Sequence, residues 1–412
     1  MDGTTLRPGD EAQLAEAVAW AAAEGKTLDV AGQGSKAGLG RPVAADFRLE
    51  TTGIAGVVLY EPEELVLTAR AGTPQAEVEA LLAQRRQRLA FEPADLGPLW
   101  GGPAGRGTLG GTFAAALSGP ARLRNGAARD HLLGFRAVGG GGQVFKSGGR
   151  VVKNVTGFDL SKLMAGSMGT LGVLTELSVK VLPVPEKTRT VLVLGAEDDA
   201  AARAMALATG SAHDVVAAAH LPADVAAASA VDLVSGTGKS VTALRLEGPA
   251  ASVEFRCRAL RELLADVGRG EELHSRNSEI LWREVRDVSY FAGAECAVGD
   301  GQVWRLSVAP LEGPRAAAAI RAELGGHLFY DWAGGQVWLC LDPRADAGHQ
   351  VVRRAVAGAG GHATLVRADA AVRAAVPVFQ PQAAPLAALA RRVKDQLDPA
   401  GILSPGRMGG GG

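Results

Sequence analysis

Cysteine is scarce in this 412-residue chain: Cys257, Cys296 and Cys340 are far apart and odd in number. That excludes a disulfide framework, a zinc knuckle or a cysteine-ligated iron–sulfur cluster, and it fits a reducing compartment. Neither sign of charge dominates, with 43 basic against 44 acidic residues and a formal net charge of −1. No basic run interleaves with aromatics, so nucleic acid is not an expected partner. No apolar run reaches the roughly 18 residues of a membrane span, and the polar start (residues 1–10) leads into a helix rather than reading as a signal peptide. A cytoplasmic protein without direct membrane insertion is expected. The seven histidines, His131, His213, His220, His274, His327, His349 and His362, include no pair at i, i+3 or i, i+4 spacing. No helical metal pair is expected, and each reads as a surface or satisfied core histidine.

Glycine, by contrast, is abundant at 55 residues without any period, which implies many tight turns and excludes collagen. With 47% hydrophobic residues the chain can bury one large core or two moderate ones, so two domains are expected. Residues 10–24 read as a helix closed by Gly25, with Leu14, Val18 and Ala21 or Ala22 on one face. A strand at 26–30 then enters the Gly-rich loop 31–40, after which Pro42 discourages a helix. Residues 57–60 and 65–70 look like paired strands. Thr73-Pro74 reads as N-cap and first residue of a helix running to about Arg86. Seven glycines between 101 and 119 lead into a small-residue helix near 110–117. Residues 136–138 and 143–146, joined by four glycines, read as a hairpin. Pro183 and Pro185 mark a boundary, beyond which apolar strands (191–194, 303–308, 337–341) mix with Ala-rich helices, as expected for helices layered on an antiparallel sheet. Residues 385–396 form a last helix.

The loop Gly32-Gln33-Gly34-Ser35-Lys36-Ala37 satisfies the loose dinucleotide pattern G-x-G-x-x-G/A after a strand, yet the helix a Rossmann site needs is missing. Either this is an ordinary Gly-rich turn, or successive loop amides and the Ser35 hydroxyl hold a pyrophosphate as a nest. Gly236-Thr237-Gly238-Lys239-Ser240 imitates a P-loop ending, but Leu233 stands where its first glycine belongs, so a polar turn is the better reading. The most specific stretch is 152–175. There Asp159 can cap a short helix through Met164, Gly166, Gly169 and Gly172 let the backbone approach a flat ligand, and Ser167 and Thr170 offer hydroxyls.

These residues resemble the FAD-binding domain of the vanillyl-alcohol-oxidase superfamily, the PCMH type. Residues 152–175 are similar to its K-x-x-x-G-x-D-L-x-x-L-x-x-G-S-x-G-x-L-G-V-x-T pattern, residues 32–40 to its pyrophosphate loop, and residues 398–407 to its C-terminal D-P-x-x-I-L-x-P-G-R segment. Loop 32–42, Trp100 with Gly119-Pro120, and Asp331-Trp332-Ala333-Gly334-Gly335 resemble, more narrowly, the E-type FAD subunits of bacterial glycolate oxidases. The fold implied is α+β: a PCMH-type FAD-binding domain of two α+β subdomains (1–185), a smaller α+β cap or substrate-type domain with an antiparallel sheet (186–375), and a C-terminal segment (376–412) returning to the FAD domain.

Carried over by position, the resemblance implies that Gly32, Gln33, Gly34, Ser35 and Lys36 line the pyrophosphate and that Gly110, Gly111 and Thr112 approach the flavin. Asn154, Gly157, Asp159, Gly166, Ser167, Gly169 and Val173 complete the wall. Arg407 either places its charge near ring or phosphate or is a solvated terminal cation. Relatives that attach flavin covalently use a His or Cys in these loops; residues 31–40 have neither, so non-covalent FAD is implied. The resemblance also implies partners, a larger D-type FAD protein and an F-type iron–sulfur protein of the glycolate oxidase complex, with membrane contact only through that complex. The D-type relatives carry an H-x-G-D-G-N run that this chain lacks, so no catalytic residue is assigned. The function implied is that of the FAD subunit of a glycolate oxidase oxidising glycolate to glyoxylate. The alternatives are a stand-alone FAD-dependent D-2-hydroxy-acid (D-lactate type) dehydrogenase and a scaffold that has lost its flavin. Asp331-Trp332 either packs against the flavin side or fills a core gap.

Overall fold

The computed structural model describes residues 5–151, 157–292 and 301–409. The first helix, Glu11–Ala23, is capped by Asp10, whose carboxylate accepts from the Gln13 amide at 2.8 Å, and it buries Leu14, Val18 and Ala21 as its periodicity predicts. It leans on a small parallel sheet in the order Thr5–Leu6, Phe47–Glu50, Leu28–Ala31. Beside this lies a five-stranded antiparallel sheet in the order Val57–Glu61, Val66–Arg70, Val173–Lys180, Leu132–Val138, Val144–Gly148. Thr73 does not cap the following helix. Its hydroxyl turns to the Arg70 carbonyl at 2.7 Å, the helix spans only Gln75–Ala83, and Arg86 takes a left-handed φ of 51° that ends any continuation.

Lys187 opens an eight-stranded sheet, antiparallel at every pairing: Arg269–His274, Lys187–Leu194, Val241–Gly248, Ala217–Leu221, His327–Asp331, Gln336–Leu341, Gln302–Ser307, His362–Arg367. Alternation divides it cleanly. Val191, Leu244, Trp304, Leu306 and Leu339 face the outer helices, whereas Leu192, Ala243, Val303, Phe329 and Trp338 face the N-terminal half, where Leu39, Leu96, Leu99 and Leu117 meet them. At the seam the buried Arg245 pairs with Glu92 at 2.8 Å and with Glu247 at 3.4 Å, and Arg88 also grips Glu247. Removing one partner from such a set leaves an uncompensated buried charge.

The last segment returns to the start of the chain. Leu28 donates to the Ile402 carbonyl and Ser404 to the Leu28 carbonyl, both at 2.8 Å, so the chain end extends the small parallel sheet. Buried Asp398 holds this turn by accepting from Leu403 at 2.9 Å and pairing with Lys394, which also donates to the Thr170 carbonyl at 2.7 Å. Among the described residues no helix is long and apolar enough to cross a membrane.

Candidate functional site

A cleft of about 850 Å³, mouth included, opens where the small parallel sheet, the short helix Leu109–Ala115 and the turn 166–169 converge. The Leu28–Ala31 strand delivers the Gly-rich loop onto its rim. No helix follows: the loop advances by single turns, Ala37 donating to Gly34 and Leu39 to Lys36. Among the described residues the amides of Gln33, Gly34, Ser35 and Lys36 donate to no protein acceptor, leaving four consecutive N–H groups available at one rim. Successive free amides of this kind suit an anionic diphosphate without a helix dipole.

Glycine is required here for two different reasons. Gly34 has a φ of +76°, and a Cβ on it would lie 2.5 Å from an Arg48 nitrogen. Gly32 has ordinary dihedrals, but its Cα faces the Thr108 hydroxyl so closely that a Cβ would overlap it. Thr108 in turn caps the helix, its hydroxyl accepting from Gly111 at 3.2 Å. On the opposite wall, Gly166 and Met168 donate to the Phe113 and Ala114 carbonyls at 3.0 and 2.9 Å, which clamps the turn against the helix end.

The cleft also holds polar atoms that have no hydrogen bond in the protein. Ser167 Oγ and Arg407 Nε are buried and meet neither a hydrogen-bond partner nor a counter-ion, whereas Arg48 Nε faces Glu50 at 3.0 Å and Asp29 Oδ1 faces Arg407 at 3.6 Å; Asp29, Arg48, Ser167 and Arg407 all line the cleft. Native interiors rarely tolerate such atoms without a ligand or water to meet them. Burial pushes the Lys36 ammonium below the usual lysine range, with Asp95 pulling the other way. Desolvation likewise lowers Arg407, which Asp29 at 3.6 Å partly offsets. Arg407 is therefore not a solvated terminal cation: its side chain is only 12% exposed, and its carbonyl accepts from Arg41 at 2.9 Å.

Of the residues singled out from sequence, Gly32, Gln33, Gly34, Ser35, Lys36, Gly110, Gly111, Ser167, Gly169, Val173 and Arg407 line the cleft together. Thr112, Gly157, Asp159 and Gly166 do not. Thr112 is buried and commits its hydroxyl to Gln75, Asp159 caps the helix Leu160–Met164, and Gly166 makes the tight turn with φ +86°. Asn154 lies outside the described residues. Sequence reasoning missed Asp29, Arg48, Thr108 and Met168 on the wall. Arg48 is carried there by its register opposite Asp29, a pairing between separate strands that no local motif announces. Among the described residues neither histidine nor cysteine lines the cleft; Cys257 and Cys340 are buried elsewhere, and burial pushes the Cys257 thiol up to about 11.

Residues 4–148 match the FAD binding domain family. Over 98% of its length the chain is 36% identical to the glycolate oxidase subunit GlcE of Escherichia coli (strain K12), covering 99% of that protein. This chain belongs to the GlcE family. It is thus an FAD-dependent oxidoreductase of the glycolate oxidase type, with FAD as its cofactor. A shorter stretch, 28% of the chain and 23% of the relative, is 38% identical to the glycolate oxidase subunit GlcD of Bacillus subtilis (strain 168). Among solved structures, p-cresol methylhydroxylase with substrate bound superposes with a TM-score of 0.73 at 13% identity, over 98% of this chain and 88% of that one. An alkyldihydroxyacetonephosphate synthase gives 0.67 at 15% identity, over 97% and 75%. These two likenesses establish the fold of the GlcE family member, a PCMH-type FAD-binding unit with its associated antiparallel sheet, and nothing of its substrate.

Proposed function

We propose that the chain is the FAD-carrying subunit of a glycolate oxidase that turns glycolate into glyoxylate together with a second, larger flavin subunit and an iron–sulfur subunit. The observation that carries this reading is the cleft itself. Four free loop amides and two buried side-chain atoms without a partner, Ser167 Oγ and Arg407 Nε, converge in a chain similar over its whole length to a glycolate oxidase subunit. The amides of residues 33–36 and the Lys36 ammonium would hold the diphosphate. Ser167 and Arg407 would meet further polar edges of the cofactor, and Ala114, Ala115, Val173 and Leu174 would cover its apolar faces. Bound FAD supplies the two-electron chemistry, so what the protein must do is hold, orient and tune it. Attachment is non-covalent in this reading, since among the described residues neither histidine nor cysteine lines the cleft.

The test is purification of the tagged chain from its own cells. The reading expects a yellow protein whose colour is released by acid precipitation, accompanied by a larger flavoprotein and an iron–sulfur protein. A colourless chain that takes up no added FAD, or one that never brings a second flavoprotein with it, would overturn it.

A further inference from the structure

The inner face of the eight-stranded sheet, the face turned toward the N-terminal half, carries a polar patch that the FAD cleft does not use. Register maps it. One row across four strands reads His362, Ser307, Gln336, Asp331, and the next reads Thr364, Arg305, Trp338, Phe329. Residues opposite one another in antiparallel strands share a face, and Phe329 and Trp338 pack into the same apolar cluster as Leu39, Ala115 and Met168, which line the FAD cleft. The patch therefore borders the cofactor site.

Within it, polar groups stand without partners. Among the described residues the Arg305 guanidinium makes no ion pair and no hydrogen bond, and the side chains of Ser307, Gln336 and Thr364 make no hydrogen bond either; none of their polar atoms is sealed from solvent, so all stay open to a ligand. A second cation reaches in from the N-terminal half. Arg122 lies with its guanidinium carbon 4.1 Å from the centroid of the Trp332 ring, and among the described residues it too has no carboxylate within ion-pairing distance. Trp332 directly follows Asp331 of the first row, so its ring brings Arg122 to the edge of the patch; burial, with the like charge of Arg122 as the smaller cause, pulls Arg305 down to about 10. The nearby acid Asp331 is buried and accepts from the Trp332 amide at 2.7 Å.

Two guanidinium groups brought together without a counter-charge are unfavourable unless an anion joins them, and a planar carboxylate matches the guanidinium fork. We propose that Arg305 and Arg122, with the Ser307 and Thr364 hydroxyls and the Gln336 amide, bind the carboxylate and hydroxyl of a small 2-hydroxy monocarboxylate beside the flavin cleft. The site places substrate recognition on this chain and not solely on a partner subunit. The identity of the acid rests on the glycolate oxidase reading; the anion site itself does not.

The experiment is calorimetric titration of the full FAD-loaded chain with glycolate, and separately with sodium chloride. Saturable binding of glycolate but not of chloride is expected. In Arg305→Met the dissociation constant should rise by about tenfold or more, in line with loss of a charged hydrogen-bonding partner. Arg122→Met should weaken binding less, and Arg305→Lys should fall between wild type and Arg305→Met because the charge is kept and the fork lost. All three should retain FAD; the two Arg305 variants should melt no lower than wild type, since that guanidinium has no partner to lose, and Arg122→Met should melt lower only by what the loss of its stack on Trp332 costs. Absence of saturable glycolate binding in the FAD-loaded wild type, equal binding by chloride, or unchanged affinity in both Arg305 variants would overturn the site. If Arg305→Met alone fails to fold, Arg305→Lys decides by the same criterion. Loss of FAD from the wild type would instead count against the function reading, which keeps the two failures apart.

Discussion

The guanidinium of Arg122 stacks on the indole of Trp332, and that indole donates its N–H to the carbonyl of Gly119 at 3.1 Å. Two sequence signatures more than 200 residues apart, Gly119-Pro120 and Asp331-Trp332, thus meet at the seam between the two halves. Trp332 and Ala333 both hold left-handed backbone, φ 51° and 57°, a cost accepted where the turn must deliver the ring to that place. Replacing Trp332 with Phe keeps one six-membered aromatic ring and deletes the pyrrole that carries the donor. Stability of the FAD-loaded protein should fall by about 1 kcal/mol for the lost hydrogen bond, and somewhat further for the packing lost with the pyrrole. Trp332→Ala should cost about 3 kcal/mol or more by emptying the ring's place as well. Denaturant unfolding followed by circular dichroism measures both, and equal stability of the Phe variant and wild type would show that the indole N–H is satisfied equally well by water.

Gly34 and Gly169 test the cleft's backbone. Both have positive φ, +76° and +74°, and a Cβ on Gly169 would sit 3.0 Å from that of Val30. Valine at either position incurs the left-handed penalty of about 1–2 kcal/mol, and intrudes where the cofactor must approach. The expected result is a folded chain with little bound flavin, read from the ratio of visible to ultraviolet absorbance. Gly149→Ala, where a Cβ meets nothing, is the control and should keep its FAD.

Ser167 gives a prediction in which two signs oppose. Its Oγ is buried and unbonded in the protein alone, so Ser167→Ala should raise the stability of the FAD-free chain by about 1 kcal/mol, the desolvation cost of such a group. The same change should weaken FAD binding several-fold, because the bond the hydroxyl reserves for the cofactor is gone. Thermal melts with and without excess FAD measure both. Lower apo stability in the variant would mean the hydroxyl serves the fold instead.

Much of the architecture was legible in the sequence because local rules govern it. Asp10 and Gly25 bound the first helix, Asp159 caps the short helix before Gly166, and apolar runs become the buried strands of the large sheet. The Gly-rich loop read correctly as one that no helix follows, since Pro42 and closely spaced glycines forbid it. Thr73 misled: Thr-Pro is a good helix start, but a tertiary demand, the Gly56 and Arg70 carbonyls, took its hydroxyl. Arg48 and Arg305 were invisible for a more general reason. Each gains its place only through strand register with a distant partner, Asp29 in one case and Trp338 in the other, and periodicity within one strand says which face a residue takes but not what it will meet.

Asp331 makes the stability of the protein depend on pH in a direction opposite to that of most carboxylates. Burial pushes its pKa up to about 8; the Trp332 amide opposes the rise, Glu92 adds repulsion and Arg245 a smaller attraction. An unfolded aspartate titrates near 4. Between about pH 4 and 8 the folded chain therefore holds a proton that the unfolded chain has released, so this group's contribution to stability falls as pH rises through that window and levels off above it. The limiting slope is about 1.4 kcal/mol per pH unit. Asp331→Asn removes the titration yet keeps an oxygen to accept the Trp332 amide. Measured side by side from pH 5 to pH 9, the variant should gain on the wild type steadily up to about pH 8 and no further. A difference that stays constant across the range would show that Asp331 is charged in the folded protein, held so by Arg245, and that the seam carries one more buried anion than its surroundings imply.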